Sequence, residues 1–295
     1  MATRGSFWLR GKKGKLAGTT VYTSKGRTIQ REIVAVSNPQ TRAQMTQRVK
    51  WPNLVNTYKL FKPIMKYAFE SKKGAQSDYN ALMSVNASAT AVPAITKSMA
   101  RQGLVVPFGY QITMGSLGSF TRGFSEDSDN LLSNIEIEGL SEITDNTTIG
   151  EFSTAILAAN PTLREGMQIS LVGAYMPYRL AEDDQLSTPV LLKVEIMLDK
   201  TSTEKVNDFT NGVIIIDEVS CLAGTNLGKF AGAFAFIVSE TRNGKTSVSS
   251  EKLQVSPAIT ELVDHYTNEA AYNAAIDSYG VQEVAFLNSN EAKKF

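Results

Sequence analysis

At 295 residues, with 42% of them hydrophobic, the chain is long enough to bury one large core or two ordinary ones. A single cysteine, Cys221, excludes an intramolecular disulfide and any cysteine-built zinc site, and a single histidine, His265, excludes a His-rich metal site. The net charge of +1 conceals a segregation: through Lys73, 16 Lys and Arg face only Glu32 and Glu70, a local +14, whereas the rest holds 14 basic and 27 acidic residues, or −13. Such polarity favours contact of the front with phosphate or acidic protein, and head-to-tail contact between copies.

Residues 1–36 combine five glycines with two β-favouring runs, GTTVYTS and RTIQREIVAV. They predict a hairpin with Val21 and Tyr22 on one strand, Ile29 to Val36 on the other, and Ser24-Lys25-Gly26 between. Ahead of it, RGSFWLRGKKGKLAG has too little apolar surface to fold alone and reads as an arm, mobile or ordered by a partner. Ser37-Asn38-Pro39 breaks the strand, and Thr41 with Gln44 has capping-box spacing. A basic helical module follows over 37–103. Its apolar positions Val49, Leu54, Val55, Tyr58, Phe61, Met65 and Phe69 recur at three and four residues. Pro52 and Pro63 divide it, and a further helix is predicted from Asp78 to Ser88 with Ser77 as N-cap.

From Leu104 the pattern changes to short β runs punctuated by Gly, Asn, Asp and Pro. LVVPFGYQI, LLSNIEIEGL, MQISLVGAYM, PVLLKVEIML, GVIIIDEV and GAFAFIVSE read as strands, with another in NGKTSVSSEKLQV after an Arg242-Asn243-Gly244 turn. Without βαβ spacing these predict an antiparallel sandwich or barrel over 104–257. Pro257 ends it, and ITELVDHY and NEAAYNAAIDSYG predict a helical tail over 258–295. The expected class is α+β: a Gly-rich arm and basic helical module, an antiparallel immunoglobulin-like β-sandwich, and a short helical C-terminal tail.

Catalytic chemistry finds little footing. GKKGK lacks the spacing and hydroxyl of a phosphate-binding loop, and no G-x-S-x-G elbow occurs. The acidic runs Ser125–Asp129 and Glu182–Asp184 lack EF-hand spacing and read as solvated loop charge. Cys221, in the apolar run VIIIDEVSCLAG, reads as a buried small hydrophobe, and His265 as an exposed helix residue. The expectation is a non-enzyme with no catalytic, metal or cofactor site. No signal-peptide core and no apolar run of about 18 residues is present, so neither secretion nor a membrane partner is expected.

The basic front interleaves Phe7, Trp8, Tyr22, Trp51 and Tyr58 with Lys and Arg, a pattern that suits phosphate contact with base stacking. Trp51, Tyr58 and Phe61 at helical spacing read more simply as core, whereas Phe7 and Trp8 stand where no core is evident and suit an anchor in a neighbouring subunit. The partner-binding candidates are Phe7, Trp8, Arg10, Lys12, Lys13, Lys15, Arg42, Arg48 and Lys50.

Ser37-Asn38-Pro39-Gln40-Thr41-Arg42-Ala43-Gln44 with Arg48 resembles the N-P-x-T-x-x-Q-x-x-x-R signature of uncharacterised proteins in Bacteroidetes genomes and their tailed phages and prophages. Those proteins begin with a Gly-rich basic stretch, similar to GKLAGTTVY, and close with an immunoglobulin-like sheet, similar to Phe230–Val255. The likeness covers residues 1 to about 90 best. It implies no active site. It implies a virion component made in the host cytoplasm, such as a ring, neck or tail-barrel subunit of a crAss-like podovirus, whose partners are identical subunits and other virion proteins. The alternatives are a DNA-binding packaging or nucleoid-type protein, in which the same basic front meets DNA, and a β-sandwich adhesin or fibre module.

Overall fold

The computed structural model describes residues 3–4, 14–16, 19–24, 27–32, 41–70, 72, 76–87, 92–176 and 188–280. The chain divides into two compact units, residues 1–40 with 284–295, and residues 41–283.

The first unit holds a four-stranded antiparallel sheet in the order β1-β4-β3-β2, from β1 (Thr3–Arg4), β2 (Gly14–Leu16), β3 (Thr19–Ser24) and β4 (Arg27–Glu32). The hairpin of β3 and β4 pairs Val21 with Gln30 and Ser24 with Arg27, as the glycine-punctuated sequence predicts. The part of the second strand predicted beyond Glu32 lies outside the described residues. The arm reading needs correction. Thr3–Arg4 pairs with β4 and Gly14–Leu16 with β3, so two pieces of the arm extend the hairpin at both edges. Strand addition uses backbone donors and acceptors that every residue carries, so it requires no apolar core of its own.

The second unit begins with α1 (Arg42–Arg48), α2 (Trp51–Phe61), α3 (Asp78–Asn86) and α4 (Lys97–Arg101). Thr41 and Ser77 cap α1 and α3 through their hydroxyls, accepting from the N–H groups of Gln44 and Asn80. Pro52 sits in the first turn of α2, where its missing donor costs nothing. Pro63 stands where α2 gives way to a 3-10 turn, Lys62–Tyr67, so the two prolines divide the basic region.

Among the described residues, nine strands and two α-helices follow in chain order: β5 (Thr121–Phe124), β6 (Leu131–Glu136), α5 (Ile149–Ala159), β7 (Gln168–Met176), β8 (Val190–Met197), α6 (Val206–Thr210), β9 (Ile214–Ile216), β10 (Cys221–Gly224), β11 (Ala231–Arg242), β12 (Lys245–Val248) and β13 (Gln254–Val255). They form two antiparallel sheets. One has the order β5-β6-β10-β9; the other has β12-β11-β7-β8, with β13 also paired to β11. Helices α7 (Thr260–Thr267) and α8 (Glu269–Ser278) come after Pro257. The protein is thus an α+β chain of helices and antiparallel sheets.

The run AGAFAFIV in β11 explains the layering. Its period of two sends Phe234, Phe236 and Val238 to one face, where they meet Leu131 and Ile135 of β6, Leu222 of β10 and Phe152 and Ile156 of α5. It sends Ala233, Ala235 and Ile237 to the other, where they meet Leu54, Phe61 and Met65 of the helical region. Small side chains on the helix side let helices approach; large ones on the sheet side fill the space between sheets. Gly173 of β7 completes the fit, since a Cβ there would lie 2.1 Å from the Phe234 ring. The central sheet is therefore buried on both faces, and residues on either side of position 104 share its core.

Residues 104–112 correct the first predicted strand: the run is extended and largely buried, yet outside both sheets. Its end pairs briefly with residues 251–253, through Ile112 N–H to the Glu251 carbonyl and Leu253 N–H to the Tyr110 carbonyl, and asparagines supply further partners. Asn53 of α2 donates to the Val106 carbonyl at 3.0 Å and accepts from its N–H at 2.8 Å. Asn86 of α3 does the same for Gln111, at 2.9 and 2.8 Å. Asn56 donates to the carbonyls of Leu104 and Ala100. A buried backbone needs its hydrogen bonds, and side-chain amides offer the same donor and acceptor as a neighbouring strand.

Candidate partner interface

Of the nine predicted partner-binding residues, Phe7, Trp8, Arg10, Lys12 and Lys13 lie outside the described residues, and Lys15 is placed by its backbone in β2. The other three sit on the body. Arg42 opens α1 and turns toward α8, where its guanidinium donates to Asn273 Oδ1 and lies 3.8 Å from the Asp277 carboxylate. Both partners of that pair are exposed, which limits it to about 0–1 kcal/mol. Arg48 is exposed in the last turn of α1, where a cation complements the helix dipole, and Lys50 is half-buried at the start of α2. The fold thus gives Arg42 an intramolecular partner and leaves the three spread along α1 and its junction with α2.

A second basic surface emerges on α2. Asn53, Leu54, Asn56, Thr57 and Phe61 face inward, which leaves Trp51, Lys59 and Lys62 on the solvent side. Lys66 and Tyr67 follow in the 3-10 turn, the Lys66 ammonium 4.9 Å from the Tyr67 ring centroid. A hydrogen bond with the Tyr67 side chain, helped by its phenolate charge once ionised, raises the Lys66 pKa. The helix aromatics divide: Phe61 is core, Tyr58 is half-buried in a T-shaped contact with Tyr79, and Trp51 is 40% exposed. Lys72 pairs with Asp78 at the start of α3.

Cys221 is buried in β10, and burial pushes its thiol pKa up. His265 is exposed on α7, edge-on to Tyr266. Burial also pushes the Tyr110 hydroxyl pKa well up, while Asn53 donates to it at 3.0 Å. Among the described residues, no group of three or more His, Cys, Asp or Glu is placed to hold a metal ion, and no helix is long and apolar enough to cross a membrane. The run Glu182–Asp184 lies outside the described residues.

Sequence reasoning missed a cleft beside β8, the edge strand of the central sheet among the described residues. Ile149 of α5, Ile196 and Met197 of β8, and Phe209 of α6 give it an apolar lining; Glu195, Asp199 and Glu204 add carboxylates. No periodic pattern announces it, because its residues come from four separate stretches of chain. Comparison with protein-family models, curated proteins and solved structures finds no match to this chain.

Proposed function

We propose that this chain is a non-enzymatic structural subunit that assembles with copies of itself, as a ring, neck or tail-barrel component of a tailed-phage virion. One observation carries the reading: the two folded units carry opposite net charge, although the basic front continues into the second unit, where residues 41–73 hold eight Lys and Arg against Glu70. Residues 1–40 with 284–295 hold ten Lys and Arg against two acids, a charge of +8, while residues 41–283 hold 20 against 27, or −7. Two oppositely charged units in one chain provide the two unlike surfaces that a head-to-tail contact requires, and such contacts close into a ring when the rotation per subunit divides a circle.

The β-rich part is read as an immunoglobulin-like sandwich. Taking β5 to β12 in sequence, the orders β5-β6-β10-β9 and β8-β7-β11-β12 follow the ABED and CFG arrangement with one added edge strand, and their inner faces meet in a shared core. Such a sandwich is a rigid frame that serves many functions, so it supports a scaffold role without choosing among partners.

The test is the mass of the purified full chain across concentration and salt, beside the variant Phe7→Ala with Trp8→Ala. Assembly anchored by aromatic burial survives moderate salt and is lost in the double variant. A monomeric mass at every concentration would remove the reading. DNA packaging is the second reading, favoured by Trp51, Lys59 and Lys62 on the solvent side of α2. It requires affinity that falls about 10³-fold or more between 50 and 200 mM salt for six or more phosphate contacts.

A further inference from the structure

The cleft beside β8 combines features that a closed monomer surface ordinarily avoids. Met197 is 58% and Phe209 46% exposed, and both line a space of about 380 Å³ whose walls include Ile149 and Ile196. That volume falls within the roughly 300–1,000 Å³ of clefts that take a small ligand or a few side chains. Its polar residues are Gln168, Ser202, Glu195, Asp199 and Glu204, and no Lys or Arg is among the side chains lining it. Glu195 is paired with Lys193 at 2.7 Å, whereas the Glu204 carboxylate has no partner among the described residues. Hydrogen bonds from the Thr201 hydroxyl and N–H hold the Asp199 carboxyl below its ordinary range, so it is anionic at neutral pH. β8 is also the edge strand of the central sheet.

We infer that this cleft receives the Phe7-Trp8 segment of a second copy of the chain. The inference rests on the assembly reading above and assigns it a contact. The occupant follows from complementarity. An apolar cleft with carboxylates at its walls selects large apolar side chains flanked by cations, and Gly5-Ser6-Phe7-Trp8-Leu9-Arg10 between Arg4 and Lys12-Lys13 supplies them. Met197 offers a flexible thioether that packs favourably against an aromatic ring. Aromatic residues held in a desolvated pocket with charges at the rim are the usual composition of an interface hot spot. Each copy then carries one donor segment and one acceptor cleft, so pairing around a closed ring satisfies both in every subunit.

The experiment uses the full chain with Phe209→p-benzoylphenylalanine, prepared as an equal mixture of ¹⁵N-labelled and unlabelled protein and photolysed at assembling concentration. Cross-links joining heavy and light chains, and carrying the tryptic peptide Gly5–Arg10, are expected. In parallel, Met197→Ser with Phe209→Ser should raise the concentration for half-assembly at least about tenfold, as loss of a hot spot does. Both positions are exposed, so folding is retained, and circular dichroism checks this. Cross-links to Gly5–Arg10 only within one isotope would place the segment in its own chain and overturn the inference. Assembly that continues in the serine variant, with cross-links elsewhere, would also overturn it while leaving the assembly reading intact. A monomer at all concentrations would overturn both.

Discussion

The carboxylate of Glu70 accepts the backbone N–H of Val248 at 2.6 Å and that of Ser116 at 3.0 Å, tying the end of the helical region to β12 and to the loop before β5. Glu251 repeats the device from the opposite side: fully buried, it accepts from the N–H groups of Phe120 and Thr121 and from the Ser119 hydroxyl. Together the two carboxylates hold residues 113–121 against the chain around 245–255. Gly115 fits between them, for a Cβ there would lie 2.1 Å from the Val248 carbonyl oxygen and 2.4 Å from Glu70 Oε1. One of the two acids in the basic front is thus a structural fastener.

Glu70 gives the first prediction. Burial is the largest single influence and opposes its ionisation, but the bonds from Val248 and Ser116 and the nearby Lys245 outweigh it and hold the pKa below the ordinary carboxylate value. A depressed folded pKa means that the stabilisation is fully present above the unfolded pKa of about 4.3 and is lost as pH falls through the folded value. Glu70→Gln should therefore cost roughly 1–2 kcal/mol in urea unfolding at neutral pH. Its deficit against wild type should shrink below about pH 4.3, and a deficit independent of pH down to acid unfolding would refute the account.

Asn53 gives the second. Replacing it with Ala removes both hydrogen bonds to Val106 and the one to the Tyr110 hydroxyl, and leaves those groups buried without a partner. The expected loss is about 2–4 kcal/mol, and Asn53→Leu should not recover it although the apolar volume is restored. Recovery by Leu would mean that packing, and not hydrogen bonding, fixes residues 104–112.

These asparagines also show where the sequence stopped being legible. Strands such as Ala231–Arg242 and Gln168–Met176 announce themselves as apolar runs of strand length, because both of their faces are covered. The run 104–112 has the same apolar character, but most of its partners are side chains from residues 53, 56 and 86, with backbone pairing only to residues 251–253 at its end, and no local pattern encodes such distant contacts. Helix α5 was legible and overlooked. Thr148 and Glu151 form a full capping box, with Thr148 N–H donating to the Glu151 carboxylate at 2.9 Å and Glu151 N–H to the Thr148 hydroxyl at 3.2 Å. The residues after that box fall inside the stretch 104–257 expected to be a β-sandwich, where no helix was expected. The division of charge was legible from counting alone, but that the unit boundary cuts through the basic front and leaves residues 41–73 with the acidic body required the structure.

Gly173 gives the third prediction. In β7 it stands opposite Phe234, and the ring occupies the space that a Cβ would take. Gly173→Ala forces the ring off its rotamer or the strands apart and should cost about 1–3 kcal/mol. The companion Gly173→Ala with Phe234→Leu should be less destabilised than the sum of the two single changes, because the clash disappears with the ring. Strict additivity would show that the glycine is needed for some other reason.

The last prediction concerns the two units. Residues 41–283 contain the central sheet, the second sheet packed on one of its faces and the helices packed on the other, together with every member of the large apolar clusters. The sheet of residues 3–32 contributes Val21 as its one buried large hydrophobic among the described residues, and that side chain belongs to none of those clusters. Residues 41–283 expressed alone should therefore keep a single cooperative unfolding transition. Their midpoint should lie close to that of the full chain, since the apolar area that drives folding is retained. Self-association should change far more, because removing the first unit takes away a charge of +8 together with Phe7 and Trp8, and leaves a body of net charge −7 whose α1 and α2 keep a smaller basic surface. Unfolding followed by circular dichroism, with mass measured on the same samples, separates the two effects. A truncated body that unfolds without cooperativity would make the first unit part of the core; one that assembles as well as the full chain would remove the basic unit from the assembly contact.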